Sequence, residues 1–169
     1  NILLSQQIGC GFYKKATIVP YDYIHCYLNI PDTSCRDSLF QAEARRCKEI
    51  LNIINDNSNK RHFCIFDELY SGTNPYEAVA SAYSFLKYII QNKNVNFMLT
   101  THYIDLCEMF IKHKKIKNYN MKTEVDKDVF KFNYKIQDGI SKIKGGINVL
   151  IYFDYPKNII NDAKKVLHI

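Results

Sequence analysis

The sequence lacks several features that would assign it to a common class of protein. No apolar run among its 169 residues is long enough to span a bilayer, and no stretch resembles a signal peptide. Internal repeats and low-complexity tracts are also absent. Hydrophobic residues make up 47% of the chain, enough for one domain with a substantial core. We therefore expect a folded protein that does not associate with membranes.

Paired cysteine motifs are absent as well, since the six cysteines form no CxxC pair and no spacing typical of zinc ligands. They lie at positions 10, 26, 35, 47, 64 and 107. This pattern predicts reduced, mostly structural thiols in an intracellular protein, either cytoplasmic or nuclear. His62 and Cys64 could share a metal, but we favour the interpretation that they are one exposed and one buried residue of a strand.

The net charge is +6, which is compatible with a nucleic acid nearby and equally with a solvated, lysine-rich surface. The most basic stretch, IKHKKIKN, covers residues Ile111 to Asn118. We interpret it as the end of a helix and a loop. A cluster that binds DNA is the alternative.

Apolar, strand-like runs alternate with helix-like stretches along most of the chain. Ser38 precedes the longest helical stretch and is a candidate N-cap, because its hydroxyl can accept a bond from an unpaired amide. The predicted strands cover residues 16–20, 23–30, 62–67 and 95–102, and a predicted hairpin covers 115–125 and 129–136 with its turn at 126–128. The predicted helices cover residues 1–9, 39–54, 75–91, 138–153 and 156–167. This order predicts an α/β fold with a mostly parallel sheet, helices on both faces and a β-hairpin near the C-terminus.

Two strands of the predicted sheet end on polar residues. In HFCIFDELYSGTN, which covers His62 to Asn74, an apolar run leads directly into Asp67 and Glu68. The strand VNFMLTTH ends on two threonines and His102. Because the carboxyl ends of parallel strands meet at one edge of a sheet, we expect these polar ends to face the same crevice.

The residue types at this edge suit phosphate chemistry. Side chains alternate along a strand, so one of two adjacent acids can hold a cation while the other addresses a water. Asp67 suits a nucleotide-bound Mg²⁺, because Mg²⁺ prefers carboxylate and phosphate oxygens. Glu68 can orient and deprotonate a water for attack on phosphorus, and His102 can hydrogen-bond the terminal phosphate. Taken alone, an Asp-Glu pair is equally well explained as a solvated turn.

Four segments, in the correct order, resemble MutS-type DNA mismatch-repair ATPases, which belong to the wider ABC ATPase class. CIFDELYSGTNPYEAVASAYSFLKYI is similar to the Walker B segment and following loop of that family. FMLTTHYIDL is similar to its histidine switch. DSLFQAEARRCKEIL resembles the segment that contacts a partner's phosphate, with Ser38 and Glu43 matching. The stretch from Tyr134 to Leu167 resembles the end of the same domain.

The resemblance implies a role for each candidate residue. Asp67 would bind Mg²⁺, and Glu68 and His102 would be catalytic in Mg²⁺-dependent ATP hydrolysis. Ser38 would contact the γ-phosphate of ATP bound by a partner subunit, in a homodimer or a MutS-like heterodimer. The other implied nucleotide-binding residues are Gly72, Thr73 and Thr101. The implied fold is the three-layer P-loop NTPase fold of ABC ATPases.

Two features depart from the family pattern. The phosphate-binding loop G-x-x-x-x-G-K-[ST] is absent, since neither glycine pair of the chain is followed by Lys-Ser or Lys-Thr. We therefore expect residues 1–169 to be a partial ATPase domain of a longer protein, whose upstream domains would bind DNA. The fragment alone should neither bind ATP tightly nor hydrolyse it. Tyr70 stands where the family usually has glycine, which puts the expected backbone path of that loop in question.

Two other functions use the same residues. A catalytically silent interaction or dimerisation module on the ABC scaffold is favoured by the missing loop and disfavoured by the intact Asp67, Glu68 and His102. A metal-dependent nuclease would normally need more convergent acids. Some segments also resemble the divergent MutS-like proteins of large DNA viruses. By that resemblance, a viral factory is a further location in which the protein would be expected.

Overall fold

The computed structural model describes residues 1–28, 38–126, 129–141, 143 and 145–167. The chain divides into two compact units, Asn1–Leu106 and Cys107–Ile169. The first unit contains a three-stranded parallel sheet, and the second contains an antiparallel hairpin followed by two helices. No helix in these described ranges is long and apolar enough to cross a membrane.

The elements of the first unit form two consecutive β-α-β units. In chain order the elements of both units within the described residues are α1 (Ile2–Ile8), β1 (Tyr23–Tyr27), α2 (Leu39–Asp56), β2 (His62–Asp67), α3 (Pro75–Ile89), β3 (Val95–Thr100), α4 (Ile104–Met109), β4 (Tyr119–Asp126), β5 (Val129–Asp138), α5 (Gly146–Tyr152) and α6 (Lys157–Val166). β2 lies between β1 and β3 and pairs with both in parallel. The predicted α/β class, parallel sheet and hairpin near the C-terminus are confirmed.

The core of the first unit surrounds β2, whose side chains are buried on both faces of the sheet. The buried side chains of α2 include Cys47, Ile50 and Ile54, and those of α3 include Ala78, Ala82, Phe85 and Ile89. Their spacing of three or four residues places them on one face of each helix. The rings of Phe66 and Phe85 meet edge to face with centroids 5.4 Å apart. β3 is covered on one face only, because Asn96, Met98 and Thr100 are exposed.

The strand predicted at residues 16–20 is not formed. The backbone there has other partners, since the Arg61 guanidinium donates to the carbonyl oxygens of Val19 and Pro20. Pro20 also has no N–H to donate to a neighbouring strand. A β-branched run therefore lies outside the sheet, and its last two carbonyl oxygens are bonded by one arginine.

Other predicted boundaries differ by a few residues. The helix predicted at residues 138–153 begins only at Gly146 and ends at Tyr152, and β5 extends to Asp138. α4 has no counterpart among the predicted helices, and the basic stretch at residues 111–118 follows it as a loop. Residues 29–30 of the second predicted strand, Cys35, and residues 127–128 of the predicted hairpin turn lie outside the described residues.

The second unit is built on the antiparallel pairing of β4 with β5, which shifts register between Met121 and Thr123. Gly139 follows β5 with a φ of 103°, a conformation that glycine favours, and its N–H donates to the Asn118 carbonyl oxygen at 2.9 Å. α5 and α6 pack on each other, and Ile147 is buried.

His62 and Cys64 are both fully buried, at 0% exposure, so the prediction of one exposed and one buried residue is wrong. Residues two apart on a strand face the same side of the sheet, and both faces of β2 are covered. Burial raises the pKa of the Cys64 thiol to about 12 and that of Cys47 to about 11, as expected for structural thiols. The cysteines within the described residues are free.

A buried pair of histidines joins β1 to β2. His25 Nε2 lies 3.0 Å from His62 Nδ1, and His62 Nε2 lies 2.9 Å from the Asn57 carbonyl oxygen. Because a carbonyl only accepts, His62 donates through Nε2, and the protonation of Nδ1 decides which ring donates between the two histidines. Both rings stack with Tyr23. Burial lowers the pKa of His25 to about 4, and the positive potentials of His62 and Arg46 add to this effect.

We expect the free energy of unfolding to decrease as the pH falls from about 6.5 to about 4. His25 protonates near pH 6.5 in the unfolded chain but only near pH 4 in the folded one. Protonation therefore favours the unfolded state, by up to about 3 kcal/mol at pH 4. Denaturant unfolding of the wild type and of His25→Gln across this range tests the effect. Glutamine can hydrogen-bond His62 as donor or acceptor and does not titrate, so identical pH slopes would contradict the prediction.

Candidate functional site

The carboxyl ends of β2 and β3 lie side by side. Asp67, the last residue of β2, is paired with Thr100, the last residue of β3. The Thr100 hydroxyl donates to Asp67 Oδ1, and the Glu68 N–H donates to the Thr100 carbonyl oxygen at 3.0 Å. The two polar strand ends therefore share one edge of the sheet, where ligands of parallel α/β sheets bind.

Glu68 and His102 form a direct hydrogen bond at this edge. His102 Nε2 lies 2.8 Å from Glu68 Oε1, and the two side chains are 88% and 46% exposed, respectively. Glu68 has a φ of 51°, a left-handed conformation that is uncommon outside glycine and that turns the chain sharply after Asp67. The site thus presents an acid and an imidazole where both can contact a ligand from solvent.

The hydroxyls of the two predicted threonines form hydrogen bonds with residues close by in the sequence. Thr101 Oγ1 accepts from the Tyr103 N–H at 3.0 Å, which forms a local turn. Thr73 Oγ1 donates to Glu77 Oε2 at 2.7 Å. The neighbouring Asn74 caps α3 by accepting from the Glu77 N–H at 3.0 Å. These bonds hold the segments that flank the edge of the sheet.

Ser38 caps α2, as predicted. Its hydroxyl accepts from the Gln41 N–H at 3.3 Å, and its own N–H donates to the Gln41 side chain at 2.8 Å, so the two residues form a reciprocal capping box. Ser38 is exposed, and the first turn of α2 contains no acidic residue. No side chain of that turn therefore opposes an anion at the positive end of the helix.

Residue 70, in the loop between β2 and α3, has a backbone conformation that glycine favours, although this residue is a tyrosine. Tyr70 has a φ of 60° and its side chain is buried. Its ring centroid lies 5.7 Å from that of Phe40 and 6.4 Å from that of Phe85. This packing offsets the strain of about 1–3 kcal/mol that a left-handed residue with a side chain carries.

Sequence reasoning identified no role for the residue that anchors this loop. Glu43 of α2 is only 2% exposed, and its carboxylate accepts from the Ser71 N–H at 2.9 Å, the Ser71 hydroxyl at 2.8 Å and the Gly72 N–H at 3.0 Å. The sequence signal for this role is the position of Glu43, an acidic residue on the apolar face of a predicted helix. Such an acid is rarely buried without donors around it.

Asp67 is the residue that fits a Mg²⁺ ion, because it is an exposed carboxylate and a hard oxygen donor. Within the described part of the chain, no group of three or more His, Cys, Asp or Glu side chains is placed to hold a metal. Mg²⁺ often needs only one or two carboxylates when phosphate oxygens and waters complete its shell. The donor set therefore suits a nucleotide-bound ion better than a resident structural metal.

The fold and the site define an α/β protein whose candidate site lies at the carboxyl edge of a parallel sheet. A family model described as MutS domain V matches residues 1–169. DNA mismatch repair protein MutS from Bacteroides fragilis is 34% identical over 98% of this chain and 19% of that protein. MutS from Parabacteroides distasonis is 32% identical over 98% of this chain and 19% of that protein, and MutS from Aquifex pyrophilus is 34% identical over 70% and 14%. The chain belongs to the MutS family and spans about a fifth or less of the length of these relatives.

Gly72 lies against the first turn of α2, and a side chain there would collide with it. A Cβ at this position would lie 2.6 Å from the Phe40 backbone nitrogen and 2.7 Å from Leu39 Cγ. We expect Gly72→Ala to lower the free energy of unfolding by about 1–3 kcal/mol, because the loop must move away from α2. Gly146→Ala is the matched control, since a Cβ at Gly146 meets no atom within 4 Å. Denaturant unfolding of both variants is the measurement, and equal losses would argue against this explanation.

Proposed function

We propose that the chain is part of the ATPase domain of a MutS-related DNA mismatch-repair protein, in which the ATP state is coupled to DNA binding. One observation carries the proposal: Glu68 and His102 form a hydrogen bond beside Asp67 at the carboxyl edge of a parallel sheet. Membership of the MutS family supports it. The three-layer P-loop NTPase fold of ABC ATPases is the architecture that we propose for the complete domain.

Asp67 would hold the Mg²⁺ ion that accompanies ATP. The Thr100 hydroxyl donates to one of its oxygens, which fixes the orientation of the carboxylate at the strand end. When bound, Mg²⁺ would neutralise negative charge on the phosphate oxygens. The contribution of the chain would be a carboxylate oriented by this hydrogen bond.

Glu68 would orient and deprotonate the water that attacks the γ-phosphate, a contribution of typically ~10²–10⁴-fold to the rate. His102 Nε2 hydrogen-bonds Oε1 of this carboxylate, so Oε2 can accept a hydrogen bond from the water. His102 is largely exposed, and its ring would also hydrogen-bond the terminal phosphate. The pair would thus link the water to the phosphate that it attacks.

A partner subunit would complete the nucleotide site. Ser38 and the N-terminal turn of α2 would bind the γ-phosphate of ATP held by the partner, since the positive end of a helix favours anions. Gly72, Thr73 and Thr101 would lie near the nucleotide. The assembly would be a homodimer or a MutS-like heterodimer in the cytoplasm or nucleus, with DNA bound by domains outside these residues.

The phosphates of ATP would be bound mainly by a loop outside residues 1–169. The sequence contains no G-x-x-x-x-G-K-[ST] segment, whose backbone amides would cradle them. We propose that the chain supplies the Walker B segment, the histidine switch and the signature segment of a partial ATPase domain. On its own it would neither bind ATP tightly nor hydrolyse it.

In the intact protein we expect Glu68→Gln to slow Mg²⁺-dependent ATP hydrolysis by about 10²–10⁴-fold and to leave ATP binding nearly unchanged. Glutamine removes the base but keeps the shape of the side chain. Phosphate release and equilibrium nucleotide binding are the two measurements. Glu49→Gln is the control, because this exposed residue of α2 pairs with Arg46 on the helix surface.

Two results would count against this function. Turnover by residues 1–169 alone, abolished by Glu68→Gln, would show that the chain needs no further phosphate-binding loop. An intact protein that neither binds nor hydrolyses ATP would favour the catalytically silent interaction module.

A further inference from the structure

The loop that follows Glu68 is attached to α2 through a buried carboxylate. Glu43 Oε1 accepts from both the N–H and the hydroxyl of Ser71, and Glu43 Oε2 accepts from the Gly72 N–H. The three distances lie between 2.8 and 3.0 Å, and Glu43 is 2% exposed. Both oxygens of one side chain therefore hold two consecutive residues of the loop.

Tyr27 of β1 extends this network by one residue. Its hydroxyl accepts from the Tyr70 N–H at 3.3 Å, and the charge of Glu43 acts on it. Burial, reinforced by the charge of Glu43, raises the pKa of Tyr27, so its hydroxyl stays protonated. The backbone N–H groups of residues 70 to 72 therefore all donate hydrogen bonds to Glu43 or to Tyr27.

α2 also touches this loop at its first turn. Gly72 lies so close to Leu39 and Phe40 that no Cβ fits between them. Ser38, the N-cap of α2, is five residues before Glu43 and is bonded into the same helix through Gln41. One rigid helix therefore joins the exposed Ser38 to the loop at two points.

A buried carboxylate makes this attachment hard to break. Its charge is stabilised by the loop donors, and separating α2 from the loop would leave the carboxylate and two backbone amides without those bonds. A displacement of α2 is therefore expected to carry the loop with it. The loop begins at Glu68, whose own amide is held by Thr100 of β3.

We propose that Glu43 is a positioning residue that couples the N-terminal turn of α2 to Glu68. Its significance rests on the proposed function: a partner's phosphate bound at Ser38 would act through α2 and Glu43 on the loop that sets Glu68 against His102. Glu43 itself touches neither nucleotide nor water in this scheme. A phosphate in the nucleotide site of the partner would in this way influence Glu68 in the nucleotide site of this chain.

Amide NMR of the 169-residue chain tests the positioning directly. In Glu43→Gln one oxygen is replaced by an NH₂ group that cannot accept from a loop amide. We expect the Ser71 and Gly72 amides to exchange with solvent about tenfold faster or more. The resonances of Glu68 and His102 should shift as well. Glu49→Gln, on the exposed face of α2, should leave all four unchanged.

A second variant covers the case in which Glu43→Gln does not fold. Ser71→Ala removes only the hydroxyl donor and keeps the carboxylate, so it should shift the same resonances by a smaller amount. If the Glu68 and His102 resonances stay unchanged while the loop amides lose protection, the loop does not position Glu68 and the proposal is overturned.

The coupling to Ser38 is measured by a double-mutant cycle. Ser38→Ala should shift the Glu68 and His102 resonances in the wild-type background and have little effect on them in the Glu43→Gln background. Equal shifts in both backgrounds would refute the coupling. None of these measurements involves nucleotide, so a failure of the intact protein to hydrolyse ATP would refute the proposed function and leave the positioning result standing.

Discussion

The parallel pairing of β2 with β3 is the constraint on which the candidate site depends. It sets Asp67 opposite Thr100 and allows the Glu68 amide to bond the end of the neighbouring strand. A slip of one residue would turn every side chain of β3 to the other face and would separate Glu68 from His102. The register is stabilised by β2, which is buried on both faces and therefore admits few alternatives.

The loop after β2 is a strained segment that its surroundings hold in place. Glu68 and Tyr70 both have left-handed backbone conformations, which persist only where neighbouring structure determines them strongly. Three features stabilise this conformation: the aromatic packing of Tyr70, the buried Glu43 carboxylate and the close approach of Gly72 to α2. The conformation of the site is therefore a property of the whole first unit, since its supports come from β1, α2 and α3.

The features that the sequence could predict are those with local signals. The bounds of β2 follow from an apolar run that ends at Asp67, and the Ser38 cap follows from a hydroxyl ahead of an amphipathic helix. The segment at residues 16–20 has an equally good local pattern for a strand. Its outcome was decided by Arg61, more than 40 residues away, and a local pattern contains no information about such a partner.

The same reason explains why the sequence suggested no role for Glu43, whereas it singled out Asp67 and Glu68 as candidate site residues. Asp67 and Glu68 are recognisable in the sequence because they directly follow an apolar run. The donors to Glu43 are 28 and 29 residues further along the chain, and only the folded packing of α2 against the loop brings them together. Long-range polar partners of buried charges are thus the part of this site that lies beyond sequence patterns.

The capping box at Ser38 has a consequence for the chemistry of that helix end. In the cap the serine oxygen acts as an acceptor from Gln41, and a hydroxyl has one proton to donate in addition to its acceptor capacity. An anion could therefore take a hydrogen bond from Ser38 while the helix stays capped. Binding and release of such an anion would not require α2 to fray and refold, so the conformational cost at this end of the helix would be small.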